Sequence, residues 1–207
     1  MVRGQGTVSE ESMKSQDIVI LLKLVSLQEQ ENSGRLGNSN EDSSHKDPYA
    51  VRSLGASLGI SKTEVSAALN RSLSSGLAFK DRKLDRPQPN RRNLYEFITY
   101  GLKFVFPAKP GAPQRGLPTA YAAPMLEGQL MSGGEDIYVW PYAAGKMKGL
   151  SVEPLFKSVP EAVLRDEHLY EYLALVDAVR LGNQRESNQP PCQSSTGQEV
   201  TRCFFTF

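Results

Sequence analysis

A mainly α-helical fold with small β-hairpins follows from three observations on this 207-residue sequence. Apolar residues recur at helical spacing over 16–30, 62–75, 91–105 and 166–181. Residues 54–73, LGASLGISKTEVSAALNRSL, set a glycine turn between two helical patterns. Two short runs of β-formers, 77–79 and 137–140, are each followed by turn residues and a return segment. The composition, 39% hydrophobic and 23% charged, is that of an ordinary globular chain rather than a disordered one.

Residues 1–14 are polar and are expected to be disordered. Ser15 is placed to cap a helix over 16–30. Its stripe of Ile18, Leu21, Leu22 and Val25 is widened by Ile20, Leu24 and Leu27, so it belongs to a core. Residues 31–46, ENSGRLGNSNEDSSHK, have the composition of a flexible linker. Asp47 and Pro48 restart order as N-cap and first residue of a helix ending at Leu58. Gly55 lets the following helix come close, and Gly59 suits a left-handed turn, where a Cβ would clash. Ile60 plugs the turn, and Ser61 with Glu64 forms a capping box. The next helix turns Val65, Ala68, Leu69 and Leu73 inward and stops at Gly76. Residues 77–79, a turn at 80–83 and a return strand from Leu84 make a hairpin. Asn90 caps a helix over 91–105 that carries Leu94, Phe97, Ile98, Leu102 and Val105 on one face.

Residues 107–124 are rich in Pro and Gly and are expected to wrap the core as a stiff loop. Gly111 and Gly116 have the spacing of a phosphate loop, but Leu117 and Pro118 stand where its Lys and hydroxyl would be, which excludes nucleotide hydrolysis there. A second hairpin is expected from 137–140 and 147–152 around a loop at 142–146. Ser158 and Glu161 form a second capping box, and Asp166 caps a helix that Gly182 ends. Leu169, Leu173, Val176 and Val179 form its stripe, with Tyr170, Tyr172 and Leu175 beside it. That breadth suits burial on two sides, against the body and a partner. Residues 183–207 are polar and aperiodic until Phe204, Phe205 and Phe207, and are expected to be disordered.

Helix, turn, helix and cationic hairpin in this order define a winged helix-turn-helix over 15–106, with a C-terminal helical extension over 107–182 for packing or dimerisation. Charge agrees with a polyanion partner. Residues 51–105 carry ten Lys or Arg against four Asp or Glu, whereas 126–182 carry five against nine. On the second helix of the pair, Lys62, Thr63, Ser66, Ala67 and Asn70 are left outward near its N-terminus, the part that reads base edges in a major groove. Arg71 joins them as a cation, Lys80, Arg82 and Lys83 arm the wing, and Arg91 and Arg92 open the next helix; these are the expected phosphate contacts.

Other functions find no support. Cys192 and Cys203 lack metal-ligand spacing, and His45 and His168 are remote from them, so neither metal nor cofactor is expected. No Ser-His-Asp, Cys-His or paired-carboxylate pattern stands out, and an enzyme is not expected. The apolar run 18–22 is too short for a bilayer and residues 1–16 are polar, so no membrane association and a cytoplasmic location are expected.

The segments DIVILLK (17–23), the helix-turn-helix at 54–73 and NRRNLYEFITYGLKFVFP (90–107) together resemble bacterial winged-helix transcriptional regulators of the MarR-like type. RGLPTAYAAP (115–124) and SVPEAVLRDEHLYEYLALVDA (158–178) are similar to the later part of proteins in that group. The resemblance covers roughly 16–182. It implies a winged-helix fold and DNA binding, often as a dimer, and carries the DNA-contact role to Lys62, Thr63, Ser66, Ala67 and Asn70 and to the wing. The long 31–46 linker and a tail that does not continue the last helix depart from the pattern. The expected function is a sequence-specific, double-stranded DNA-binding transcriptional regulator that occupies an operator as a homodimer. The alternative is a winged-helix protein-interaction module, antitoxin-like or an adaptor, whose protein partner would engage the Pro-rich loop and the Trp140 hairpin.

Overall fold

The computed structural model describes residues 12–34, 47–126 and 137–182. Most of the residues expected to be disordered, and all of the linker past Gly34, lie outside them. The fold is mixed α/β, with helices dominant and two small sheets.

Helix α1 (Ser15–Asn32) runs through the middle, and every residue from 16 to 27 is buried. It starts one residue earlier than expected, because Asp17 takes the capping role by accepting the Lys14 N–H at 2.9 Å. Ser15 instead donates its hydroxyl to the Leu155 carbonyl at 2.5 Å, tying α1 to the C-terminal half. A helix buried on all sides carries polar groups into the core, and each must be partnered there. Lys23 Nζ reaches Asp166 at 2.6 Å, and Ser26 Oγ donates to the same carboxylate at 2.8 Å.

Helix α2 (Val51–Leu58) begins later than the Asp-Pro pair suggests. Asp47 closes a turn by accepting the Tyr49 N–H at 3.0 Å, and Ala50 is the N-cap. Gly59 ends α2 at φ +65°, the left-handed turn expected of it. Gly55 is fully packed beneath this turn: a Cβ there would lie 2.6 Å from the Ile60 carbonyl oxygen. Ser61 caps α3 (Lys62–Ser74) by accepting the Glu64 N–H at 3.3 Å. Strands β1 (Ala78–Asp81) and β2 (Arg86–Pro89) pair antiparallel, Ala78 opposite Pro89 and Asp81 opposite Arg86. The return strand starts two residues later than expected. Asp81 Oδ1 accepts the N–H groups of Lys83 and Leu84 at 2.7 and 3.2 Å, which extends the turn, and Asp85 closes it at φ +48°.

Asn90 caps α4 (Arg91–Glu96), which continues through a π turn (Phe97–Gly101) into α5 (Leu102–Val105). Leu94, Ile98 and Leu102 all face the core at intervals of four. An α-helix overshoots by about 40° at each four-residue step, and a π turn falls short, so this turn keeps the three leucine and isoleucine side chains aligned.

The second half departs from expectation. The Pro-rich segment is not wholly a loop: it contains β3 (Pro113–Thr119). Strand β3 pairs antiparallel with β4 (Tyr138–Pro141) and with β5 (Met147–Ser151), and β4 meets β5 in parallel at Tyr138–Leu150 and Val139–Ser151. The three strands thus close on themselves, and β4 and β5 do not form the expected hairpin. A Cβ on Gly116 or Gly145 would overlap neighbouring backbone, so these glycines permit the closure.

Helix α6 (Val159–Val163) follows Ser158, whose hydroxyl bonds the Leu58 carbonyl instead of its own helix. Asp166 caps α7 (Glu167–Leu181) as expected, accepting the Leu169 N–H at 3.1 Å. Tyr172 to Ala178 are all buried, but within this chain. Leu169, Tyr172, Leu173 and Val176 join the α1 core, while Ala174, Leu175 and Ala178 pack under Ala120, Leu126 and Val152. Asp177 locks the second contact, accepting from Thr119 Oγ1 at 3.0 Å, Trp140 Nε1 at 2.5 Å and Arg180 Nη1 at 2.6 Å. The buried breadth of α7 therefore serves two internal faces.

Asp166 is the charge that this core depends on. Burial opposes its ionisation, but the Lys23 ammonium, the Leu169 N–H and the Ser26 hydroxyl hold its carboxyl below the ordinary value of 3.8. Replacing Asp166 with Ala leaves the Lys23 ammonium buried without its partner and removes the α7 cap. Urea denaturation at neutral pH is expected to show a loss of about 3–5 kcal/mol. The lowered pKa makes this contribution present above the ordinary pKa and lost as pH falls through the folded one. The gap between wild type and Asp166→Ala must therefore narrow below about pH 4.

Candidate nucleic-acid interface

Helix α3 has two faces. Val65, Ala68, Leu69 and Ser72 are buried, whereas Lys62, Thr63, Ser66 and Asn70 are exposed and Ala67 is half-exposed. The Ser61 cap and the Gly59 turn set the direction in which the first two turns of α3 project. The side chains of Lys62, Thr63, Ser66 and Asn70 make no hydrogen bond or ion pair among the described residues. They form an unobstructed stripe of donors and acceptors about 12 Å long, from the 1.5 Å rise per residue.

Arg71 does not belong to this stripe. It is 7% exposed and turns toward α1. Its Nε and Nη2 hold the two oxygens of Asp17 at 2.8 and 2.7 Å, and Nη2 also reaches Glu64 at 2.8 Å. Glu64 consequently does not complete the capping box. Its carboxylate receives Arg71, the Gln16 side-chain amide and Lys14 Nζ, the last at 3.1 Å. These cations and donors hold the Glu64 carboxyl below its usual range, the Arg71 hydrogen bond contributing most. Arg91 is likewise drawn inward. Its guanidinium pairs with Glu29 of α1 at 2.5 Å and donates to Gln28 at 3.2 Å. The bidentate Asp17 carboxylate fixes the Arg71 guanidinium in place, and Glu29 with Gln28 draws Arg91 toward α1, so both arginines are engaged within the chain.

The other expected contacts remain at the surface. Arg82 and Lys83 are exposed at the tip of the β1–β2 hairpin. Lys80 pairs with Asp85 at 2.8 Å, with both side chains largely in solvent. Arg92 is exposed and pairs with Glu96 at 3.2 Å, one turn along α4. Exposed pairs of this kind are weak and exchange readily for a phosphate. Arg86, by contrast, lies 3.5 Å over the Tyr49 ring and bonds Glu31 at 2.9 Å. The sequence pattern offers no reason to single out Arg52, yet it is an exposed cation at the start of α2.

The basic excess of 51–105 is thus partly neutralised within the chain. Asp17, Glu29 and Glu31 of α1, from the acidic flank, neutralise Arg71, Arg91 and Arg86. What faces outward is a smaller set: Arg52 on α2, Lys62 on α3, Lys80, Arg82 and Lys83 on the hairpin, and Arg92 and Lys103 on the α4–α5 helix.

Among the described residues there is no group of three or more His, Cys, Asp or Glu placed to hold a metal, and no helix long and apolar enough to cross a membrane. No family model, curated protein or solved structure matches the chain.

The two neighbours on either side of this distinction behave differently on truncation. Arg71→Ala strips Asp17 of its partner in the core and is expected to cost about 3–5 kcal/mol in urea denaturation. Asn70→Ala, one residue away on the open face, is expected to stay within about 0.5 kcal/mol of wild type. Equal effects from the two would contradict the two-faced description of α3.

Proposed function

We propose that the chain is a sequence-specific, double-stranded DNA-binding transcriptional regulator that acts by occupying an operator as a homodimer. The observation that carries this reading is the open face of α3. Short polar side chains with one lysine stand at the start of a helix whose other face is anchored by a buried ion pair. Such a helix presents base-reading groups without having to order them first. In this reading α2, the Gly59 turn and α3 form the helix-turn-helix, β1–β2 is the wing, and the whole is a winged helix of the MarR-like type. Thr63, Ser66 and Asn70 read base edges, Ala67 offers a methyl contact, and Lys62, Arg82, Lys83, Lys80 and Arg92 meet phosphates. No cofactor and no chemistry on the DNA enter this mechanism. Occupancy alone excludes or recruits other proteins.

Selection of bound sequences from random duplex DNA tests the reading directly, with an enriched inverted repeat as the expected result. Failure to enrich any sequence would transfer support to a protein-interaction module. With the enriched site in hand, Thr63→Ala and Asn70→Ala should each weaken it by about 1–3 kcal/mol while leaving random DNA nearly unaffected. Arg82→Ala combined with Lys83→Ala should weaken both DNAs alike. The slope of log affinity against log salt should then become shallower by about 1.8, because two phosphates are no longer neutralised. An unchanged slope removes the hairpin from the interface.

A further inference from the structure

Most of the apolar surface of α1 and α7 is already buried within this chain, which leaves little of it for a second copy. The largest apolar side chains left in solvent on a helix lie elsewhere. Tyr100 is 58% exposed, Phe104 76% and Val105 53%, all on the outer side of the α4–α5 helix. The inner side of the same helix is committed to the core through Leu94, Ile98 and Leu102. An exposed Phe and Tyr one turn apart are costly in water, at about 25 cal/mol per Å² of apolar area. Polar residues frame them: Arg92 and Glu96 before, Lys103 between.

We propose that this face is the homodimer interface, and that two copies pack their α4–α5 helices antiparallel about a two-fold axis at Tyr100. The inference rests on the operator-binding dimer proposed above, and it commits to a second copy of this chain as the occupant. Charge complementarity is the reason. A two-fold axis at Tyr100 sets positions four before it in one copy opposite positions four after it in the other. Glu96 of each copy then lies beside Lys103 and Phe104 of its mate, and the two Tyr100 rings meet at the axis. A parallel arrangement would instead stack Glu96 on Glu96 and Lys103 on Lys103, with like charges opposed. Arg92, which pairs with Glu96 within each copy, falls opposite a position beyond Val105, where the helix has ended, and exchanges that exposed pair for phosphate as Glu96 turns to the mate. The apolar centre with a ring of paired charges is the anatomy of a specific interface. The π turn serves the same end, since it holds Tyr100 and Phe104 on one side while Ile98 and Leu102 remain buried on the other.

The test is made on the full chain without DNA, so that it does not depend on operator binding. Sedimentation velocity of the wild type across about 1 to about 100 micromolar is expected to show a monomer–dimer equilibrium. Phe104→Glu and Tyr100→Glu place a carboxylate at the apolar centre. Each is expected to raise the dimer dissociation constant by about a hundredfold or more, with an unchanged circular-dichroism spectrum and thermal midpoint. Glu96→Lys and Lys103→Glu should each weaken the dimer, and the double reversal should restore it, as antiparallel pairing requires. A wild type that stays monomeric, a dimer that survives Phe104→Glu, or a double reversal no better than either single change overturns the proposal. A monomer that still binds its operator overturns this interface and leaves the DNA-binding reading standing. A dimer that selects no sequence does the reverse.

Discussion

A helix buried along twelve consecutive residues cannot carry polar side chains unless the protein supplies a partner for each, and α1 carries several. Asp17 near its start takes Arg71 of α3 in a two-pronged ion pair, and Lys23 and Ser26 at its middle take Asp166 at the start of α7. The partners come from segments far apart in sequence, so these contacts fix the relative placement of α3 and α7 as well as satisfying α1. A buried pair is weak support for net stability, because desolvation offsets much of its attraction. Its value lies in selectivity: any packing that slides α3 along α1 strands a charge in the core. The Asp17–Arg71 pair therefore adds to the Gly59 turn and the apolar packing of Val65, Ala68 and Leu69 in fixing the orientation of α3, and hence of its open face.

The parts of the fold legible in the sequence are those governed by local stereochemistry. Gly59 sits in the left-handed region, Ser61, Asn90 and Asp166 cap the helices that follow them, and the exposed set on α3 is the one that its apolar spacing predicts. Local rules failed where a residue had a better distant partner. Ser15 turned to Leu155, Ser158 to Leu58, and Glu64 to Gln16 of α1 as well as to Arg71, although each stands where a cap or capping box would use it. The closed three-stranded sheet was not legible. Strand β3 is built largely from Pro, Gln, Arg and Gly, which have low strand propensity, and it forms because two other strands bracket it. Periodicity also left α7 undecided. A helix apolar around most of its circumference states that it is covered, without stating whether its own chain or another covers it.

Charge counting along the sequence has the same weakness. The basic span and the acidic flank before it read as separate blocks, yet α1 packs against the basic span and its carboxylates pair with three of the span's cations. What matters for a polyanion is the charge that remains in solvent. Exposed lysines and arginines interact with phosphates over roughly 10 Å at about 0.1 M salt, whereas cations bound to buried carboxylates act as part of the fold. Arg71 illustrates the division: it sits next to Asn70 in sequence, yet about 100° round the helix from it, where it is buried against α1.

The same division explains how assembly and recognition can be linked in a chain this small. The α4–α5 helix that carries Tyr100 and Phe104 is not an appendage. Asn93 donates its side-chain amide to the Gly76 carbonyl at 2.9 Å, fastening α4 to the end of the α3 segment. Arg91 fastens it to α1 through Glu29. At the other end, Arg180 of α7 donates to the Phe106 carbonyl at 2.9 Å. A helix held at both ends transmits position rather than absorbing it. In the proposed dimer the spacing of the two α3 helices is therefore set by short, rigid contacts, without a flexible joint between the pairing face and the reading face. DNA offers equivalent major-groove faces about 34–36 Å apart, and a dimer with one fixed spacing can use only operators whose half-sites match it. Sequence preference would then come from two sources: the side chains of α3, which read bases, and the α4–α5 contact, which measures the distance between half-sites.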